Sequence, residues 1–270
     1  MYEEFRAKER SGWGSKADYY EHHTARITTQ AIPTLLAAVR VRAGASVLDI
    51  CTGPGYAAGA AHAICARATG VDFAPEMVAR AAQNFPDCTF EEGDALALRF
   101  SDGTFDAAVC TFGIFHVTDP AQAIAEAYRV LKPGCRYAFS QWCAPNEAEF
   151  FRIGASLIAE HADMSLVPPA PNAFDMSDRS HCEQVMKSAG FDEIIITEVP
   201  SVYHAPEGEL FDGIMKLSVR GAMIVEAQDD ATRQRIRDVV NAAAKSHHTD
   251  EGVIIPSPCF VVSGRKPEKR

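Results

Sequence analysis

Apolar positions recur along the chain in two alternating rhythms. Short runs of β-branched and small apolar residues are followed by longer stretches at helical spacing, the mark of a parallel sheet flanked by helices. Ser46–Ile50 reads as a first strand, and Tyr56–Cys65 as a helix of small residues able to lie close against a sheet. Ala68–Asp72 is a second strand, Pro75–Asn84 a helix with proline at its start, and Cys88–Glu91 a third strand. Phe105–Phe112 is almost continuously apolar, as in a central strand buried on both faces. Asp119-Pro120 then supplies an N-cap and first turn. Ile124, Ala127 and Leu131 share one face of the helix that follows. Lys132-Pro133-Gly134 stops that helix, and Cys135–Trp142 is a fifth strand.

Beyond Trp142 the rhythm slackens. A helix is expected over about Glu147–Ala162, followed by the proline-rich stretch Val167–Pro171. Ser180–Ala189 reads as a helix closed by Gly190, and Asp192–Val199 as a sixth strand. Residues 206–247 carry two more helical patterns. Val253–Gly264 completes the series, with Pro256 and Pro258 marking it as an edge or hairpin element. The expected fold is α/β: a Rossmann-like, doubly wound, seven-stranded and mostly parallel sheet with helices on both faces. Residues 1–144 would form an N-terminal helical segment plus the core. The insertions 145–180 and 206–247 would form a helical cap, and 181–205 and 248–270 the remaining core elements.

Composition narrows the class. The 270 residues carry a formal net charge of −10, which disfavours a nucleic-acid partner. No apolar run approaches the length of a membrane span, and the first residues lack a signal peptide's basic and apolar regions, so a cytoplasmic protein is expected. The eight cysteines lack zinc-ligand spacing and several sit inside apolar runs, which suits reduced, packed thiols and no metal site. The basic tail from Arg265 to Arg270 is expected to be a solvated end.

The chemistry concentrates in Val47-Leu48-Asp49-Ile50-Cys51-Thr52-Gly53-Pro54-Gly55, a strand entering a tight glycine turn before a helix N-terminus. Gly53-Pro54-Gly55-Tyr56-Ala57-Ala58 fits G-x-G-x-x-A, which suits NAD(P) equally well. Asp49 shifts the balance, because a carboxylate there holds loop amides or meets an ammonium group and repels a pyrophosphate. Asp72 at the end of the second strand can accept from ribose hydroxyls. Asp94 in Gly93-Asp94-Ala95 lies where an adenine would fall, and Phe73, Met77 and Leu96 offer apolar walls.

These marks, with Phe105-Asp106 and Leu131-Lys132-Pro133-Gly134, resemble the class I S-adenosylmethionine-dependent methyltransferases, particularly those similar to the ubiquinone/menaquinone C-methyltransferases. The resemblance spans roughly Ala45–Ser140. It implies S-adenosyl-L-methionine as donor, S-adenosyl-L-homocysteine as product, and methyl transfer to an O, N, C or S atom of a small molecule. It places Thr52, Gly53 and Gly55, with the intervening Pro54, at the methionine portion, and Asp72 at the ribose. Asp94 and the Ala95 amide fall at the adenine, and Thr111 at the methionine portion. The family usually has glycine where this chain has Cys51, so ordinary dihedrals are expected there. Two residues keep two readings each. His116 is a base for the acceptor or a packing histidine near Asp119; Tyr20 is a partner for the methionine carboxylate or a packed aromatic. The alternatives are an NAD(P)-dependent oxidoreductase and a non-catalytic S-adenosylmethionine binder.

Overall fold

A computed structural model describes residues 2–205, 210–250 and 252–268. Two units separate within it. The larger, of Thr28–Trp142, Pro171–Val199 and Cys259–Arg270, holds the main sheet. Its strands are β1 (Ser46–Ile50), β2 (Arg67–Asp72), β3 (Thr89–Glu92), β4 (Phe105–Cys110), β5 (Leu131–Trp142), β6 (Asp192–Val199) and β10 (Cys259–Arg265). They run in the order β3-β2-β1-β4-β5-β10-β6, with β10 antiparallel to both its neighbours and the strands from β3 to β5 parallel. This is the expected seven-stranded, mostly parallel, doubly wound sheet.

Ala107, Ala108, Val109 and Cys110 of β4 are all buried, and successive strand residues face opposite ways, so helices must cover both faces. Those helices are α3 (Ile32–Ala38), α4 (Tyr56–Ala63), α5 (Pro75–Asn84), α6 (Pro120–Val130) and α9 (Arg179–Ser188). The Asp119 carboxylate caps α6 by accepting from the Gln122 amide at 3.0 Å, as the sequence pattern predicts. Ile124, Ala127 and Leu131 are fully buried. The helix ends at Val130, and the strand begins at once with Leu131.

Two expectations for the C-terminal segment require correction. The Val253–Gly264 segment is not an edge strand of the main sheet. Its prolines divide it into β9 (Gly252–Pro256), in a small sheet with β7 (Val202–His204) and β8 (His248–Thr249), and β10, which fills an interior slot between β5 and β6. A proline cannot donate to the ladder, and both Pro256 and Pro258 lie outside β10, which pairs on both sides. The basic tail is not simply solvated either. The Lys266 ammonium donates to the carbonyls of Tyr128 and Leu131, both at 2.8 Å, and so caps the C-terminal end of α6. Lys269 and Arg270 lie outside the described residues.

The smaller unit comprises Met1–Ile27, Cys143–Ala170 and Pro200–Pro258. It holds α1 (Glu3–Lys16), most of α2 (Ala25–Thr28), α7 (Glu149–Phe151), α8 (Leu157–His161), α10 (Leu210–Leu217), α11 (Val219–Glu226), α12 (Asp230–Ala244) and the small sheet. The helix expected from Glu147 to Ala162 forms from α7 to α8 with one π-turn over Arg152–Ser156. Residues 206–247 carry three α-helices where the apolar pattern predicts two, and 206–209 lie outside the described residues. Residues up to Ile27, 200–205 and 248–258 group with these elements, and 171–180 with the main sheet, all of which differ from the expected division.

Candidate active site

The site is built where β1 and β2 end. Gly55 is the N-cap of α4 and has no side chain to offer the helix. The carboxylate of Asp49, from the neighbouring strand, fills that role. Its Oδ2 accepts from the Ala58 amide at 3.1 Å and the Thr52 hydroxyl at 2.6 Å. Asp72 ties the loop from the other side. Its Oδ2 accepts from the Gly53 amide at 2.8 Å, and its Oδ1 from the Ala74 amide at 3.0 Å. Asp49, Thr52, Gly53 and Asp72 thus form one hydrogen-bonded cluster.

The turn depends on left-handed backbone. Gly55 has φ +86°, and a Cβ there would meet the Phe90 ring at 2.8 Å and the Ala81 methyl at 3.1 Å. Pro54, buried between the two glycines, has its carbonyl held by the Asn84 amide at 3.1 Å. Cys51 overturns the expectation of ordinary dihedrals, because it has φ 55°. The chain is held before Cys51 by the pairing of Ile50 with Val71, and after it by the Thr52 amide, which donates to the Val71 carbonyl, and the Gly53 amide, which donates to Asp72, so the left-handed turn falls at whatever residue stands there.

Electrostatics set this cluster apart. Asp49 is 1% exposed and Asp72 6%. Burial pushes the Asp49 carboxyl up to about 7 despite its hydrogen bonds, with the nearby Asp72 charge adding to the rise. Burial likewise raises Asp72 to about 6, opposed by the amides of Ala74 and Gly53 and by His116. Among the described residues, Asp49 Oδ1 and Thr111 Oγ1 are buried without a hydrogen-bond partner. Two raised carboxyls, with unsatisfied oxygens on Asp49 of β1 and on Thr111 just past the neighbouring β4, concentrate unpaired polar groups at this end of the sheet.

The other predicted residues are placed as follows. Phe73 follows Asp72 half-buried, and Met77 on α5 is 2% exposed. Asp94 follows β3, and its Oδ1 accepts from the Leu96 amide at 3.0 Å. The Gly93 amide donates to the Asp72 carbonyl at 2.9 Å, which brings the Asp94 turn beside the end of β2, and Ala95 is buried. His116 acts electrostatically on Asp72, and its ring lies 4.3 Å from that of Phe115. Tyr20 belongs to the smaller unit, where its ring is 6.2 Å from that of Trp13.

Sequence reasoning missed Ser140. Its buried hydroxyl accepts from the Phe112 amide at 2.9 Å, where Phe112 also takes a left-handed φ of 54°. The Phe112 ring stacks on Trp142 at 3.7 Å. Ser140-Gln141 inside the apolar run Tyr137–Trp142 was the available signal. The left-handed Phe112 leaves no mark in sequence.

The chain is similar to known proteins in sequence and in fold. A family model described as a methyltransferase domain matches residues 47–134. The demethylmenaquinone methyltransferase of Deinococcus radiodurans is 33% identical over 163 residues, which cover 54% of this chain and 67% of that protein. The enzyme of the same name from Chlorobaculum parvum is 42% identical over 93 residues, 34% of this chain and 39% of that protein. The chain therefore spans from two fifths to two thirds of these two relatives. In fold, the YcgJ protein of Bacillus subtilis is similar with a TM-score of 0.59 at 21% identity, over 89% of this chain and 100% of that one.

Proposed function

Since the chain belongs to the class I S-adenosylmethionine-dependent methyltransferases, we propose that it moves a methyl group from that donor to a small-molecule acceptor, with the donor held by the loop after β1. The observation that carries this reading is the unpartnered, buried Asp49 Oδ1 in a loop with no phosphate-binding cation of its own. That carboxylate suits an ammonium group and opposes a pyrophosphate, which weighs against the NAD(P) alternative. Asp49 would hold the donor's ammonium group, and Thr52, Gly53, Pro54 and Gly55 would bound its methionine portion along with Thr111. Asp72 would accept from the ribose hydroxyls through lone pairs left free by Gly53 and Ala74. Asp94 and the Ala95 amide would read the adenine edge, with Phe73 and Met77 as apolar walls.

Bound in this way, S-adenosylmethionine supplies a methyl group already activated by its sulfonium. What the protein must add is alignment of the acceptor with that methyl and exclusion of water. His116, beside Asp72 and just beyond β4, is the group in the larger unit placed to take a proton from an acceptor that arrives protonated. The relatives named above are demethylmenaquinone methyltransferases by name, which supports a small, ring-bearing acceptor here. Calorimetric titration with S-adenosylhomocysteine and with NAD+ tests the donor half, and transfer of labelled methyl into a metabolite extract tests the rest. Binding of NAD+ without S-adenosylhomocysteine would overturn the reading. His116→Gln should bind S-adenosylhomocysteine as the wild type does, while transfer falls about a hundredfold.

A further inference from the structure

Two thiols meet beside the loop after β1. Strands β1 and β4 lie side by side with Asp49 opposite Val109; Cys110 ends β4, and Cys51 directly follows β1. A Cβ built on Gly113 would stand 2.9 Å from Cys110 Sγ and 3.0 Å from Cys51 Sγ, and would clash with Cys51 Cβ. Both sulfurs therefore crowd one point, in space that only a glycine at 113 leaves open. The Cys51 thiol hydrogen-bonds Cys110, and so does the hydroxyl of Tyr137 on β5, which is buried. Strand spacing of about 4.8 Å and a stagger of about one residue put the two Cα atoms roughly 6 Å apart, within the span of a disulfide.

Packing accounts for Cys110, which is 1% exposed inside the sheet. It does not account for Cys51. That residue is half-buried and holds φ 55°, where a glycine would relax the backbone, so conformation selects against a cysteine. What a cysteine adds there is a second sulfur against Cys110, placed in the loop that carries Thr52 and Gly53. Cys51 is the more exposed of the two, so it meets a dissolved oxidant first, with Cys110 behind it to complete the bond. The hydrogen bond to Cys110 and burial hold the Cys51 thiol well above its usual range, so the pair stays reduced until oxidant is abundant. Gly113 already fills the space against Cys51 Cβ, so the sulfurs close by a swing of the loop and not by closer approach of the two backbones. That swing draws the Thr52 hydroxyl from Asp49 and the Gly53 amide from Asp72.

We propose that Cys51 and Cys110 form a disulfide under a peroxide oxidant, and that this bond and a bound donor oppose one another. The two thiols give up two protons and two electrons as the S–S bond forms; hydrogen peroxide accepts them, its O–O bond breaks, and two waters leave. Cys51 is first oxidised to a sulfenic acid with release of one water, and the Cys110 sulfur then attacks it and expels the second. The opposition is reciprocal, since a bond that weakens the donor is itself disfavoured by bound donor. The thiol pair rests on the larger unit alone; its coupling to the donor rests on the methyltransferase reading.

The test uses the full chain, reduced or treated with hydrogen peroxide, with S-adenosylhomocysteine titrated into each form. Peptide mass mapping should show a Cys51–Cys110 crosslink in the treated protein and none after dithiothreitol. The crosslinked protein should bind S-adenosylhomocysteine at least tenfold more weakly than the reduced protein, with affinity restored by dithiothreitol. Saturating S-adenosylhomocysteine, added before the peroxide, should slow crosslinking at least tenfold. Cys110→Ala should bind S-adenosylhomocysteine as the reduced wild type does and keep that affinity after peroxide. Cys51→Gly is the second variant and should behave alike. Peroxide that leaves this bond unformed in folded wild type, or a crosslinked protein of full affinity, would overturn the proposal while leaving the methyltransferase reading intact. Peroxide losses in both variants as large as in the wild type would overturn it too, because oxidation elsewhere would then account for the effect. Failure of the reduced wild type to bind S-adenosylhomocysteine would overturn that reading and the donor coupling with it, even where the crosslink forms.

Discussion

Replacing Asp49 with asparagine should stabilise the free protein at alkaline pH and destroy its affinity for the donor. Burial raises this carboxyl from 3.8 to about 7. A folded-state pKa above the unfolded one means that stability is fully present below the unfolded value and is lost as pH rises through the folded value. About three units at ~1.4 kcal/mol each give a loss of roughly 4 kcal/mol by pH 8, relative to a neutral side chain of the same shape. Asparagine keeps one oxygen for the Thr52 hydroxyl and the Ala58 amide that Asp49 now serves. Its NH2 group replaces the unpartnered Oδ1 and remains unpaired, which returns roughly 2 kcal/mol of the gain. The net stabilisation of about 2 kcal/mol should raise the melting temperature by roughly 5 °C at pH 8 and disappear near pH 5. Scanning fluorimetry from pH 5 to pH 8 reads this difference. S-adenosylhomocysteine should protect the wild type increasingly as pH passes 7 and bind the variant at least a hundredfold more weakly. A variant less stable than wild type at pH 8 would refute the electrostatic argument, and an unchanged affinity would refute the ammonium assignment.

Other outcomes follow from the same loop and from the end of α6. Gly55→Ala combines positive φ with a methyl pressed on Phe90 and Ala81, so it should cost about 2 kcal/mol in denaturant melts and abolish S-adenosylhomocysteine binding. Cys51→Gly relieves a left-handed cysteine and should gain or hold stability within about 1 kcal/mol, with labelled methyl transfer retained, because the thiol takes no part in the transfer. Lys266→Met removes the ammonium that serves Tyr128 and Leu131 and should lower stability by about 1–2 kcal/mol, with S-adenosylhomocysteine affinity unchanged.

The sheet was legible because its strands are bounded by glycine turns and proline-led helices. β1, α5 and β6 fall at their expected limits. The places of Asp49, Asp72 and Asp94 at or beside strand ends were legible too, since they are a matter of spacing. What sequence concealed was of another kind. The dihedrals of Cys51 and Phe112 are imposed by hydrogen bonds from β2 and β5, distant in sequence, and no local preference reports them. The interior place of β10 was hidden because Pro256 and Pro258 look, in sequence, like kinks within one strand. The Lys266 contacts were hidden because a lysine near a chain end looks alike whether it faces water or a helix terminus.

The place of β10 has a bearing on the order in which the protein can assemble. Phe139 of β5 and Ile196 of β6 both pair with Val262, which emerges from the ribosome last of the three. Until then β5 and β6 each present an open edge, one of them along a run of fully buried residues. The nascent chain therefore carries two sticky edges whose shared partner is made after both, and the interval before its arrival exposes them to misassembly.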